Sequence, residues 1–124
     1  MEIDVLPDLA VLGDLRRSVA AHLQGSGWPM AAVDNAVLVV SELLTNAIIH
    51  GSPPIRLRLA HRPEVLRLEV DDAGTGRPAL DPGRARGDGG FGLQIVNTLA
   101  ARWGVEDQAP GKAVWVELIV KPIA

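Results

Sequence analysis

Residues 41–51 read Ser41-Glu42-Leu43-Leu44-Thr45-Asn46-Ala47-Ile48-Ile49-His50-Gly51. Glu42, Asn46 and His50 recur every fourth residue, so a helix gathers them into one polar stripe on an otherwise apolar cylinder. The apolar run begins near residue 36. Pro29 suits the first turn of this helix, and Gly51-Ser52-Pro53-Pro54 stops it. Apolar residues occupy much of the circumference, which predicts a central, buried helix. A carboxylate and an amide on such a helix need partners, because an unpaired buried charge is costly. Two readings of the stripe stand level: polar groups capping backbone or lying at a solvated edge, and a magnesium site to which Asn46 gives a hard oxygen ligand.

Upstream, residues 3–6 form a short apolar run closed by Pro7, suited to an edge strand. Asp8 is a plausible N-cap for a helix carrying Leu9, Leu12, Leu15, Val19 and Leu23, which Gly25-Ser26-Gly27 ends. Downstream the period changes. Ile55, Leu57 and Leu59 alternate with polar neighbours, and Leu66, Leu68 and Val70 do the same after His61-Arg62-Pro63-Glu64. These are two half-buried strands of a hairpin. Residues 73–90, rich in Gly, Pro, Arg and Asp, read as a long loop, and loops of that length are usually functional or disordered. A helix is expected over 91–102, a weak strand over 104–107, a turn at Pro110-Gly111 and a strong strand over 113–120. The order of elements gives an α/β (α+β) two-layer sandwich, with a mixed, mainly antiparallel sheet and helices on one face.

Two further motifs carry chemistry. Asp72 ends the second hairpin strand and by alternation shares a face with Leu66, Leu68 and Val70, so it points inward. An ionised carboxylate only accepts hydrogen bonds, which suits the amino group of adenine. Gly74 and Gly76 let backbone approach a flat ligand. A plain turn explains such a segment at least as readily when it stands alone. A calcium loop does not, for the regular run of oxygen donors is missing. The second motif, Gly87-Asp88-Gly89-Gly90-Phe91-Gly92-Leu93, enters a helix whose first amides can hold phosphate. It is neither a Walker loop nor a dinucleotide fingerprint, and by itself a hinge ahead of a helix accounts for it.

The three motifs occur in order, each on the element its chemistry requires, and in this the chain resembles the GHKL superfamily of gyrase, Hsp90, histidine kinases and MutL over essentially its whole length. The 41–51 segment, the glycines up to Leu93, Ala101-Arg102-Trp103-Gly104 and Gly111-Lys112-Ala113-Val114-Trp115 look like the anti-sigma-factor serine kinases, and especially like actinobacterial ATP-binding regulators. The resemblance implies the Bergerat ATP-binding fold, with ATP and Mg2+ as cofactors. It implies that Glu42 is the catalytic base and that Asn46 holds the metal. Asp72 would bind the adenine amino group, with Gly74 and Gly76 lining the base pocket. Gly90, Gly92 and Leu93 would lie at the phosphates. His50 falls at a family position, although the helix dipole alone also favours a histidine there. Arg84 and Arg86 could reach the terminal phosphates, or simply be solvated. Similar proteins carry Thr after Gly111-Lys112, where its hydroxyl helps bind adenine through water. Ala113 stands there instead, which implies one hydrogen bond fewer at the base.

Composition bounds the rest. With 124 residues, the chain is expected to form one histidine kinase-like ATP-binding domain over 1–124. Apolar residues make up 48% and the net charge is −3, giving a globular protein without the basic footprint of nucleic-acid binding. Cysteine is absent, so disulfides and thiolate metal sites are excluded. No spacing among the three histidines suggests a metal site. No signal peptide is evident and no window approaches the ~20 apolar residues of a membrane span, so a cytoplasmic protein is expected. The function the resemblance implies is a serine/threonine kinase that phosphorylates a STAS-like antagonist and regulates a sigma factor by partner switching. The alternative is a non-catalytic, ATP-binding module that sequesters partners. A histidine kinase fragment ranks lower, since no phospho-accepting hairpin precedes the domain. Family members often form homodimers, and the apolar first helix offers a surface for one.

Overall fold

The computed structural model describes residues 1–74 and 91–119. In chain order the elements are β1 (Glu2–Val5), α1 (Leu12–Gly25), α2 (Met30–His50), β2 (Ile55–Arg62), β3 (Val65–Asp72), α3 (Phe91–Leu99), β4 (Arg102–Asp107) and β5 (Lys112–Ile119). Asp8 caps as expected, accepting from the Ala10 amide at 2.9 Å, but it caps a short 3-10 turn, Leu9–Val11, that leads into α1.

The strands lie in the order β1-β2-β3-β5-β4. Every pairing among them is antiparallel, so the described sheet is not mixed. Strict alternation divides its two faces. On the inner face Ile55, Leu57, Leu59, Leu66, Leu68, Val70, Val114, Val116 and Leu118 are buried in one core with Val19 and Leu23 of α1 and Val96 of α3. From α2 come Val33, Ala36, Val39, Val40, Leu43, Leu44 and Ala47, spaced to make a single stripe. Each fully buried Val, Leu or Ile among these contributes roughly 1.5–3 kcal/mol. The expected two-layer α/β architecture is what forms.

Two expectations about helices are corrected. α3 ends at Leu99 rather than 102, because the following residues join the sheet. The Ala101 amide donates to the Glu117 carbonyl at 2.9 Å, and Arg102 stands opposite Glu117 in the β4–β5 ladder. α2 also reaches the length and apolarity of a membrane span, with 21 residues and an 18-residue window of mean hydropathy 1.5. Packing explains that composition, since its buried stripe faces the sheet and α2 lies between α1 and α3. The burial is one-sided. Leu38 is 41% exposed and Ile49 55%, so α2 covers the sheet and keeps an outer flank.

The outer face of the sheet is charged. Arg58 pairs with Asp71 at 3.2 Å, and Glu117, itself buried, receives Arg102 at 2.6 Å, Arg62 at 3.4 Å and Arg67 at 3.5 Å. The hydrogen bond from Arg102, then the charges of Arg102 and Arg62, hold the Glu117 carboxyl below the usual glutamate range. Arg67 also lies over the Trp115 ring, 4.6 Å from its centroid.

Candidate functional site

Asp72 is the last residue of β3 and lies on the inner face, as alternation requires. It is 4% exposed. Three donors converge on its Oδ1: the Gly74 amide at 2.7 Å, Lys112 Nζ at 3.0 Å and the Ser52 amide at 3.4 Å. Among the described residues, no hydrogen bond reaches Oδ2.

The chain closes around this carboxylate from three sides. The Gly51 amide ends α2 by donating to the Ala47 carbonyl at 2.9 Å, and the Ala73 amide ties the end of β3 to the Ser52 carbonyl at 2.8 Å. A Cβ on Gly51 would lie 2.6 Å from both the Ala47 oxygen and Asp72 Cγ. Gly111 has a φ of +96°, and a Cβ there would sit 2.0 Å from the Asp72 carbonyl oxygen. Two glycines thus let the α2–β2 corner and the β4–β5 turn close on Asp72.

The β3–β5 register settles which β5 residue faces it. Lys112 is opposite Asp72, whereas Ala113 is opposite Asp71 on the outer face. The expectation attached to Ala113 is therefore corrected: a hydroxyl at 113 would point away from the Asp72 side of the sheet. Sequence reading overlooked Lys112 because a Gly-Lys turn ordinarily carries a solvated lysine. The signal lay in alternation, since position 112 shares parity with Val114, Val116 and Leu118.

Glu42 and Asn46 are half-buried on α2, one turn apart on the flank that also carries Ile49. Asn46 Nδ2 is buried and finds no partner among the described residues. Since the two ends of an amide are assigned from their hydrogen bonds, that buried end can equally present oxygen. No group of three or more His, Asp or Glu assembles among the described residues. A single amide oxygen suits a magnesium ion that takes its other ligands from phosphate and water. His50 is exposed at the end of α2. Gly92 and Leu93 fall in the first turn of α3. Gly76, Gly90, Arg84 and Arg86 lie outside the described residues.

The outer-face neighbour Asp71 behaves differently. Its carboxyl is pushed up to about 6, first by burial, then by its contact with Glu69. Among the described residues Asp71 Oδ1 is buried without a donor, and a proton shared with Glu69 would supply one.

The profile of the family described as histidine kinase-like ATPase domain matches residues 5–118. The chain belongs to this family. Comparison with curated proteins finds no significant match. Among solved structures, the histidine kinase-like ATPase domain resembles part of the structure of the RsbU and RsbW domains of Rv1364c from Mycobacterium tuberculosis. The TM-score is 0.77 at 18% identity, covering 100% of this chain and 33% of that one. The blue-light activated histidine kinase of Erythrobacter litoralis EL346 matches at 29% identity and TM-score 0.58, covering 75% and 32%. Histidine kinase AdeS of Acinetobacter baumannii matches at 17% and 0.56, covering 73% and 48%. The chain spans about a third of the first two structures. It is thus an ATP-binding, kinase-like domain of the GHKL superfamily, which the sequence motifs anticipated.

Proposed function

We propose that this domain is a serine/threonine protein kinase of the anti-sigma-factor type, acting in the cytoplasm as a single ATP-binding unit over residues 1–124. The observation that carries the nucleotide half of this reading is the buried Asp72 at the end of β3, backed by the Gly74 amide. Its carboxylate accepts the adenine amino group, while Gly74 and Gly76 allow the base to approach. Gly92 and Leu93 lie in the first turn of α3, where free amides meet phosphate, and the family resemblance adds Gly90 to them.

Asn46 would hold a magnesium ion, which when bound neutralises phosphate charge. Glu42, one turn earlier, takes the proton from an incoming serine or threonine hydroxyl. The partners this reading names are a STAS-like antagonist as substrate, a sigma factor held in its absence, and a second copy of the chain. The alternative, a sequestering module without catalysis, is favoured by the apolar Leu38 and Ile49 exposed on α2, the helix that carries Glu42.

Incubation with γ-labelled ATP, magnesium and candidate antagonists separates the two. Label on a serine or threonine supports the kinase. Tight ATP binding with no transfer to any of them leaves the sequestering module.

A further inference from the structure

Lys112 and Asp72 form an ion pair whose side chains are 8% and 2% exposed. Burying two charges gives no clear gain in stability, since well-packed apolar residues often serve as well. The pair therefore invites a reason at the site it occupies.

We infer that Lys112 is a positioning residue that keeps Asp72 turned, so that the site takes a 6-aminopurine and refuses a 6-oxopurine. This rests on the nucleotide reading of Asp72. The carboxyl torsion of an aspartate is broad and nearly two-fold, so either oxygen could face a ligand. Here Lys112 Nζ at 3.0 Å, the Gly74 amide at 2.7 Å and the Ser52 amide at 3.4 Å all hold Oδ1. Oδ2 is the oxygen left to a base.

The chemistry of that oxygen decides which base it takes. A carboxylate oxygen only accepts. Adenine offers an amino donor at the 6-position and guanine a carbonyl acceptor, so guanine would set lone pair against lone pair. Without the ammonium, Oδ1 loses one of the three donors that hold it, and the carboxyl is freer to turn. A turned carboxyl no longer aims Oδ2 at the 6-position, so the amino group loses its acceptor, a 6-oxo group loses its repulsion, and discrimination narrows. Selectivity of this kind lies in the polarity of one buried group, which is where sites discriminate most strongly.

The test is calorimetric titration of the full chain with ADP and with GDP, for the parent, K112M, K112Q and K112R. The parent is expected to favour ADP by about 100-fold or more. K112M and K112Q should cut that ratio at least about tenfold, and K112R, which keeps the charge, should restore it. A folded K112M or K112Q with the parent's ratio overturns the inference. Loss of the fold in both neutral variants, with K112R folded, makes the pair a structural tie and overturns it too. If the parent gives no heat with ADP, the nucleotide reading fails and takes this inference with it.

Discussion

Gly51 lies against the carboxyl group of Asp72 so closely that a Cβ on it would stand 2.6 Å from Asp72 Cγ and 2.7 Å from Oδ1. The end of the helix carrying Glu42 and Asn46 is thereby locked to the end of the strand carrying Asp72. The two halves of the proposed site, adenine and metal, are held at one fixed spacing by a residue with no side chain.

Gly51→Ala should accordingly cost about 2–3 kcal/mol of stability, the upper range for overpacking, because one of the two obstructing groups is backbone. Urea titration measures this. The surviving folded fraction should bind ATP at least about tenfold more weakly, since either Asp72 or the corner must shift. Equal stability and affinity in parent and variant would show that the contact relaxes freely.

Much of this frame was legible in the sequence. Period two placed Asp72 inward, period four gathered Glu42 and Asn46, and Pro and Gly marked most boundaries. The misreadings at residues 102 and 112 share one cause, a tertiary partner distant in sequence. The helix expected to run to 102 stops at Leu99 because Arg102 has a partner in Glu117. Lys112 reads as a solvated turn residue until the ladder sets it opposite Asp72. The closeness of Gly51 to Asp72 depends on a register that no local pattern encodes.

The outer face offers a pH signature separate from the site. Asp71 titrates near 6 instead of 3.8, so the folded chain binds its proton more tightly than the unfolded chain. Its ionised form is a full cost above about pH 6, and that cost fades as pH falls toward 3.8. Asp71→Asn should stabilise the domain by roughly 1 kcal/mol at pH 8, less than the full shift implies because Arg58 loses the nearest of its acidic partners. Near pH 4 the two chains should unfold at the same urea concentration. A variant less stable than the parent at pH 8 would contradict this.

Glu42 and Asn46 should separate kinetically. Glu42→Gln is expected to slow phosphoryl transfer by about 10²–10⁴-fold with ATP affinity near that of the parent. Asn46→Ala should weaken ATP binding in magnesium and leave metal-free binding little changed. Single-turnover kinetics and titrations with and without EDTA read both. Equal transfer rates in parent and Glu42→Gln would remove the base from the mechanism.

The central claim is that Asp72 anchors an adenine nucleotide. Calorimetric titration of ATP with magnesium into the parent and Asp72→Asn, both checked for folding, tests it most directly. The account predicts saturable one-to-one binding by the parent, weakened at least about 30-fold in Asp72→Asn, or roughly 2 kcal/mol. No binding by the folded parent, or equal affinity in the two chains, would contradict it.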